Sequence, residues 1–308
     1  MSNWTHKHLL GIDHLSRADL ERVFAIAEQI DAGNHPALPP VPAGRRPAVV
    51  CAFFEDSTRT RLSFSRAAQR LGCDVLDFAS KGSSVSKGES LVDTARTIEA
   101  MGVEFIVVRH GSAGAAKLVA DTVSCAVINA GDGAHEHPTQ ALLDCYTMRK
   151  HLGDLAGKHV AIVGDIAHSR VARSNLLALQ KLGATVTLVG PPTLLPRGLA
   201  RLGANLSHSL DEVLPSVDVV NMLRIQFERI GSAQFPSVRE YTSLYGLTQD
   251  RLNRCKDDIL VMHPGPMNRG VEIDSSVADG DRNVIIEQVA NGVTIRMAVL
   301  SLLSSTPT

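Results

Sequence analysis

A run of hydroxyl and guanidinium groups lies where a predicted strand meets a predicted helix. It comprises Ser57, Thr58, Arg59, Thr60 and Arg61. The run follows apolar residues 48–54 and precedes a helical pattern over 62–71. A helix start presents unpaired backbone N–H groups and the positive end of the helix dipole, so hydroxyls and arginines there complete a phosphate pocket. A capped helix with two surface arginines would explain the hydroxyls but not the number of arginines.

Other polar side chains follow the ends of further predicted strands. They are Arg109 and His110, residues 132–140, Gly164 with Asp165, residues 168–170, Arg224 with Gln226, and residues 263–266. Ligands of open α/β sheets bind at the carboxyl ends of the strands. Together these residues predict a cleft rich in fixed positive charge, which suits an anionic substrate. For Arg170, at a helix start, both an anion ligand and a structural role stay open.

Short β-branched runs alternate with amphipathic helical runs along most of the chain. The predicted strands are 48–54, 73–78, 104–108, 126–129, 159–163, 185–189, 218–222 and 259–262. The predicted helices are one capped by Ser16, then 62–71, 91–101, 138–152, 172–182 and 293–303. This alternation indicates parallel sheets covered by helices. The strands form one large sheet or two small ones, and the long helix from Pro138 favours two four-stranded halves. The pattern does not place the last helix.

Two familiar kinds of cofactor site find no support. The turn after strand 159–163 lacks Gly-x-Gly-x-x-Gly, and no phosphate-binding Gly-x-x-x-x-Gly-Lys-Ser/Thr motif occurs. In His135-Glu136-His137 the histidines are two residues apart, which suits neither one helix face nor a zinc-enzyme motif. A histidine that donates a hydrogen bond to a carbonyl oxygen is favoured there. We therefore predict no cofactor and no metal.

Residues 81–89 combine small residues with two lysines and two glycines. This composition fits a solvated surface loop. It equally fits a loop that carries Lys87 over a bound anion and excludes water. The pattern alone leaves both interpretations open.

The composition is that of a packed globular protein of about two domains. Of its 308 residues, 44% are hydrophobic and 20% charged, and the net charge of −1 argues against nucleic-acid binding. No apolar run reaches membrane-spanning length, and the N-terminus has no signal-peptide core. Five scattered cysteines, never spaced as Cys-x-x-Cys, predict reduced thiols and a cytoplasmic protein.

Three motifs carry a resemblance to a known family. They are the Ser-Thr-Arg-Thr-Arg run 57–61, His-Pro-Thr-Gln 137–140 and His-Pro-Gly-Pro 263–266. In this order the chain resembles the aspartate/ornithine transcarbamoylases over essentially its whole length, and best the catalytic chains that use aspartate. The resemblance implies transfer of a carbamoyl group from carbamoyl phosphate to the amine of L-aspartate, an early step of pyrimidine biosynthesis.

The resemblance also implies an architecture and an assembly. A carbamoyl-phosphate domain (1–146 plus 292–308) and an aspartate domain (147–291) each have a four-stranded parallel sheet flanked by helices. A long helix joins them, and the C-terminal helix returns to the first domain. Family members form homotrimers with shared active sites, in which the loop of Ser83 and Lys87 reaches the neighbouring site. Regulatory chains or dihydroorotase subunits are possible partners.

The resemblance assigns roles to matching residues. Those that would hold the phosphate are Ser57, Thr58, Arg59 and Thr60, with Ser83 also in the carbamoyl-phosphate site. Those that would polarise the carbamoyl carbonyl are Thr60, Arg109 and His137. Those that would orient the carbamoyl NH₂ are Gln140 and the backbone carbonyls of Gly265 and Pro266. Those that would bind the aspartate carboxylates are Arg170, Arg224, Gln226 and Lys87 of the next chain.

Two positions separate this chain from other members. Many members carry Leu where Gly265 stands, and glycine gives that turn more conformational freedom. The ornithine enzymes resemble one another in having Cys at the positions of Thr139 and Gly265. Ornithine would also need an acid for its α-ammonium group, whereas Arg170, Arg224 and Lys87 match two carboxylates. Aspartate is therefore preferred, with another acceptor such as ornithine, a silent scaffold homologue or a solute-binding protein as alternatives.

Overall fold

The computed structural model describes residues 4–36, 38, 41, 45–79, 89–225 and 237–305. The chain divides into two compact units. The first unit comprises residues 1–143 and 289–308, and the second comprises residues 144–288. Each unit contains a parallel β-sheet with helices packed on it.

The first unit is built on the sheet order β2-β1-β3-β4, with all neighbouring strands parallel. Its elements in chain order are α1 (Arg17–Asp31), β1 (Ala48–Phe53), α2 (Thr58–Arg70), β2 (Asp74–Ala79), α3 (Leu91–Ala100), β3 (Phe105–His110), α4 (Ala115–Ala120), β4 (Ala126–Asp132) and the start of α5 (Pro138–Leu152). Ser16 and Asp19 form the reciprocal capping box that starts α1. Strand residues such as Val50 and Val107 are buried, because helices cover both faces of such a sheet.

The N-terminal segment runs along the free edge of β4. The Leu9 N–H donates to the Val127 carbonyl at 2.9 Å, and the Asn129 N–H donates to the Leu9 carbonyl at 2.8 Å. The Val127 N–H donates to Nδ1 of His8 at 3.0 Å. A sheet edge left open would expose unpaired backbone groups, so this segment closes it.

We expect His8 to make stability depend on pH. Burial lowers the pKa of His8 below its ordinary value, and the positive charge of Lys7 adds to the effect. The unfolded chain therefore takes up this proton at a higher pH than the folded protein. The His8–Val127 hydrogen bond contributes fully above the unfolded pKa, and its contribution is lost as pH falls toward the lower folded pKa. One such bond contributes about 0.5–1.5 kcal/mol.

The measurement is the thermal unfolding midpoint between about pH 8 and pH 5, across the ordinary His pKa. His8→Asn keeps an acceptor near the position of Nδ1 but does not titrate, so the midpoint should fall less steeply with acid. His14→Asn is the matched control, since the His14 side chain is 66% exposed. Equal slopes for wild type and His8→Asn would contradict the assignment.

The second unit has the sheet order β7-β6-β5-β8-β9, again all parallel. Its elements are the end of α5, β5 (His159–Val163), α6 (Arg170–Lys181), β6 (Thr185–Val189), β7 (Asn205–Ser207), α7 (Leu210–Val213), β8 (Val219–Met222), α8 (Val238–Tyr245), α9 (Gln249–Leu252), β9 (Leu260–Met262) and α10 (Ser275–Ala278). The predicted parallel sheet is confirmed, but it has a fifth strand. β7 is a three-residue edge strand, and its first residue, Asn205, is exposed, so it has too little apolar pattern to detect.

The last helix, α11 (Ile285–Ser304), begins well before the predicted residue 293. Thr294 Oγ1 donates to Asp31 Oδ1 of α1 at 2.9 Å. The Arg296 guanidinium donates to Ser63 Oγ of α2 at 2.8 Å and lies 4.9 Å from the Phe64 ring centroid. The C-terminal helix therefore packs on helices of the first unit, and the predicted two-domain α/β fold is confirmed.

By length and composition α11 is also a candidate membrane span within the described residues. It has 20 residues and a mean hydropathy of 1.2, but 72% of its most apolar part is buried inside the protein. A buried core helix of a soluble protein can have the same length and hydropathy. The burial therefore indicates a core helix, one that is apolar on nearly all sides.

The five cysteines are all unpaired thiols. Cys51, Cys73 and Cys145 are buried, and Cys125 and Cys255 are half-buried. Burial raises the pKa of Cys51 and of Cys125 to about 12. These two thiols are therefore protonated and inert at neutral pH.

Candidate functional site

The carboxyl ends of three neighbouring strands bring the phosphate-site candidates of the first unit to one sheet edge. Phe53 at the end of β1 is in register with Arg109 in β3, and His110 is in register with Asp132 at the end of β4. The residues that follow β1 and β4 are the 57–61 run and His137. Tertiary structure thus groups motifs that are far apart in the sequence.

The N-cap residue of α2 does not cap the helix with its own side chain. Ser57 occupies the N-cap position in an extended conformation (φ −161°, ψ 98°), yet it makes no capping hydrogen bond. Ser16, in contrast, caps α1 through its hydroxyl. Thr58 and Arg59 are exposed, and Thr60 is 9% exposed. This geometry disagrees with the capped-helix interpretation of the hydroxyls and agrees with an anion site at the helix start.

Arg109 is directed by two contacts at the end of β3. Its Nε lies 3.4 Å from Oε2 of Glu55, and its Nη1 donates to the Ala130 carbonyl at 3.2 Å. The side chain is only 13% exposed. A guanidinium group held by a carboxylate and a carbonyl has a defined orientation, which a donor to a substrate oxygen needs.

His137 lies at the start of α5 and is 3% exposed. The N–H groups of Gln140 and Ala141 donate to its carbonyl at 3.0 and 3.3 Å, so its backbone starts the helix. Thr139 is buried and Gln140 is half-buried. The His-Pro-Thr-Gln motif is therefore the first turn of α5, after β4.

Glu136 is a buried polar residue that the sequence motif did not explain. Its two carboxylate oxygens accept from the Ile12 N–H at 3.0 and 2.9 Å, and Oε1 also accepts from the Asp13 N–H at 3.4 Å. The N–H of Glu136 donates to Asp132 Oδ1 at 3.2 Å. Glu136, which directly precedes His137, thus holds the N-terminal segment beside the start of α5. Its position between two histidines was the signal, but its partners Ile12 and Asp13 lie 124 and 123 residues away.

The metal interpretation of the His-Glu-His run has no support in the geometry. His135 Nδ1 lies 3.1 Å from Asp132 Oδ2, and the Glu136 oxygens accept backbone N–H groups. Among the described residues no cluster of three or more His, Cys, Asp or Glu side chains could hold a metal ion. The His135 side chain bonds within the loop, and the Glu136 side chain bonds the N-terminal segment.

The candidates of the second unit also lie at the ends of neighbouring strands. Arg170 is the first residue of α6 after β5 and is 6% exposed. Arg224 follows β8 and is half-buried, and residues 263–266 follow β9. Since β5, β8 and β9 are adjacent and parallel, their carboxyl ends share one edge.

The departure at Gly265 has a conformational explanation. Its φ of +62° lies in the left-handed region, which glycine adopts without the cost that a side chain incurs. Its N–H also donates to Nδ1 of His263 at 2.7 Å. The turn is therefore held in one conformation by a local bond despite the flexibility of glycine.

Three predicted site residues lie outside the described residues. They are Ser83 and Lys87, within residues 80–88, and Gln226, within residues 226–236.

Comparison with protein-family models covers almost the whole chain. Residues 7–150 match the aspartate/ornithine carbamoyltransferase carbamoyl-P binding domain, and residues 156–303 match the aspartate/ornithine carbamoyltransferase Asp/Orn binding domain. The chain belongs to the aspartate/ornithine carbamoyltransferase family. The resemblance seen in the three sequence motifs is thereby confirmed.

Curated relatives within the family are similar over their full length. The aspartate carbamoyltransferase catalytic subunit of Thermobifida fusca is 56% identical over 96% of this chain and 95% of its own. The catalytic subunit of Halothermothrix orenii is 51% identical over 97% of this chain and 95% of its own.

A solved structure of the family has the same fold. It is aspartate transcarbamoylase from Trypanosoma cruzi in complex with carbamoyl phosphate and aspartate. Its identity to this chain is 31% and its TM-score is 0.85, with 99% of this chain and 98% of that chain covered. The same enzyme in complex with N-(phosphonacetyl)-L-aspartic acid also gives a TM-score of 0.85.

Proposed function

We propose that this protein transfers the carbamoyl group of carbamoyl phosphate to the amine of L-aspartate, giving N-carbamoyl-L-aspartate and phosphate. The observation that carries the proposal is the start of α2, where the Ser57 hydroxyl makes no capping hydrogen bond and Arg59 is exposed, on the sheet edge that also bears Arg109 and His137. Relatives named as aspartate carbamoyltransferase catalytic subunits support the choice of substrates. The enzyme is a transferase of one-carbon groups.

The reaction needs positioning and charge stabilisation rather than covalent catalysis. The neutral aspartate amine attacks the carbamoyl carbon, a tetrahedral intermediate forms, the bond to the phosphate oxygen breaks, and the nitrogen loses a proton. Holding both reactants in attack geometry can lower the barrier by about 7–11 kcal/mol. Each donor aimed at the developing oxyanion contributes about 3–4 kcal/mol. Lys87, His137 and the departing phosphate are the candidate bases.

The roles of the first unit concern carbamoyl phosphate. We assign residues 1–146 with 292–308 to this substrate. Phosphate contacts are assigned to Ser57, Thr58, Arg59, Thr60 and Ser83; the carbonyl contacts to Thr60, Arg109 and His137; and an NH₂ contact to Gln140. Arg59 is the strongest of these candidates, since an exposed arginine in the first turn of a helix can bind phosphate through two parallel bonds.

The roles of the second unit concern aspartate. We assign residues 147–291 to this substrate, with its carboxylates bound by Arg170, Arg224, Gln226 and Lys87 of a neighbouring chain. The carbonyls of Gly265 and Pro266 are assigned to the carbamoyl NH₂. Arg170 is buried and Arg224 is half-buried, and both follow strands that end at one sheet edge. Two guanidinium groups match the two carboxylates of aspartate, whereas they would repel the second ammonium group of ornithine.

A colorimetric assay for carbamoylated product tests the function directly. Aspartate should give product and ornithine should give none above background when each is supplied with carbamoyl phosphate. Product with ornithine alone would move the chain to another acceptor. A folded protein inactive with every acceptor would make it a silent homologue.

We further propose a cytoplasmic homotrimer whose Ser83 and Lys87 act in the neighbouring chain's site. Mixed trimers of Lys87→Ala and Arg59→Ala chains test this sharing, because some of their sites would carry neither substitution. Recovery of activity on mixing two inactive variants is expected, and no recovery would contradict it. A regulatory chain or a dihydroorotase subunit is a further proposed partner of the trimer, and the name catalytic subunit given to the relatives supports the regulatory chain.

A further inference from the structure

A buried carboxyl group lies behind the 263–266 turn of the second unit. Glu272 is completely buried. Its Oε1 accepts from Nε2 of His263 at 3.1 Å and from the Asn268 N–H at 2.6 Å. Its Oε2 is buried and has no hydrogen-bond partner among the described residues. All the hydrogen bonding of this carboxyl group is therefore made by one oxygen, to two residues that border the turn.

The hydrogen bonds determine the tautomer of His263. A backbone N–H can only donate, and that of Gly265 points to Nδ1 at 2.7 Å, so Nδ1 carries no proton. The remaining proton is on Nε2, which donates it to Glu272. His263 is therefore neutral, and its ring links the Glu272 carboxylate to the backbone of Gly265.

The same carboxylate reaches the segment of Arg224 by a second route. The backbone of Asn268 is held by Glu272, and the Asn268 side chain donates to the Ile225 carbonyl at 3.0 Å. Ile225 is buried and follows Arg224 directly. The His263 N–H is fixed independently, since it donates to Oε1 of Gln288 at 3.0 Å.

We propose that Glu272 is a positioning residue that fixes the 263–266 turn through His263 and the Arg224 segment through Asn268. The proposal rests on the functions assigned above to Gly265, Pro266 and Arg224. The carbonyl groups of Gly265 and Pro266 belong to the backbone. Their direction therefore depends on the contacts that fix the backbone of the turn. A displacement of about 1 Å at such contacts can cost about 100-fold in rate.

Two substitutions at Glu272 separate hydrogen bonding from charge. Glu272→Gln keeps an acceptor at the position of Oε1 and can retain both bonds without the charge. Glu272→Ala removes both bonds. We expect Glu272→Ala to lower kcat by about 10- to 100-fold and to raise the KM for aspartate, while Glu272→Gln stays within about threefold of wild type.

Asn268→Ala tests the second route alone. It removes the side-chain bond to Ile225 but leaves the backbone N–H on Glu272. We expect a higher KM for aspartate with a smaller loss in kcat. When Asn268→Ala is combined with Glu272→Ala, the two increases in KM should be less than multiplicative, because both variants release the same segment.

Asp211→Asn is the matched control in the same unit. Asp211 accepts two bonds from the buried Arg251, both at 2.9 Å, and belongs to no proposed site. The control should lower the unfolding midpoint and leave kcat and both KM values unchanged.

A spectroscopic measurement complements the kinetics. The ¹⁵N chemical shifts of His263, assigned with a His263→Gln variant, should show the Nε2–H tautomer in wild type and Glu272→Gln, and a mixture of tautomers in Glu272→Ala.

The outcomes distinguish this proposal from the proposed function. A wild-type protein without transfer to aspartate overturns the function first. With an active wild type, a Glu272→Ala variant that changes only stability, as Asp211→Asn does, overturns the positioning role. Equal losses in Glu272→Gln and Glu272→Ala would show that charge rather than bond geometry matters, and would overturn it too. If Glu272→Ala does not fold, the proposal is tested with Glu272→Gln and Asn268→Ala. An unchanged KM for aspartate in Asn268→Ala would then contradict the proposal.

Discussion

Arg59→Ala is expected to lose about 100-fold or more in turnover while the protein stays folded. Arg59 is an exposed residue in the first turn of α2, so truncating it leaves no cavity and costs little stability. We assign its guanidinium group to the phosphate, whose negative charge grows as it leaves. Steady-state assays with both substrates saturating measure the loss, and far-ultraviolet circular dichroism checks the fold.

Arg70→Ala is the matched control for Arg59→Ala. Arg70 is also exposed and also on α2, but it is the last residue of the helix, far from its N-terminus. Turnover of Arg70→Ala should equal that of wild type. Near-normal turnover in Arg59→Ala would refute the phosphate assignment. Binding of inorganic phosphate by calorimetry gives an independent readout, and it should weaken in Arg59→Ala alone.

Arg224→Ala should raise the KM for aspartate by about 10- to 100-fold, because a hydrogen-bonded charged pair contributes about 1.5–3 kcal/mol. The KM for carbamoyl phosphate should change little. Initial rates over a grid of both substrate concentrations separate the two effects. The reason is the position of Arg224 after β8, in the unit that we assign to aspartate.

Arg254→Ala controls for the loss of an arginine in the same unit. The Arg254 side chain is 60% exposed and pairs with Asp211, so its removal should leave both KM values unchanged. A change confined to carbamoyl phosphate affinity in Arg224→Ala would mean that a different substrate occupies that position. No change in either KM would remove Arg224 from the site.

Local sequence signals were sufficient for most elements of the fold. Strands β5 and β6 begin and end at the predicted residues, since a buried parallel strand is a continuous apolar run between turns. The Ser16 capping box also needs only a few neighbouring residues. Helix α11 was predicted too short, because Gln288, Asn291 and Gly292 interrupt the apolar pattern before residue 293, and only the folded structure shows that Gln288 and Asn291 are buried.

The buried polar residues show where local signals fail. Glu136 accepts a hydrogen bond from Ile12, which is 124 residues away. His263 and Glu272 form a hydrogen bond across a turn whose conformation cannot be predicted from the number of residues between them. The sequence shows that a residue is Glu, but not whether its carboxylate is exposed to solvent or accepts a hydrogen bond from a buried amide. Its function depends on which donors the folded chain brings to it.

The sequence by itself determined the family, the α/β alternation and the motifs that carry the chemistry, because these depend on residue type and short-range order. Tertiary structure alone decided which strand ends are neighbours, that the Ser57 side chain makes no capping hydrogen bond to α2, and that Glu136 and Glu272 hold the residues beside the motifs. The physical reason is that strand order and hydrogen-bond partners are set by contacts between residues far apart in the chain, and no local pattern records them.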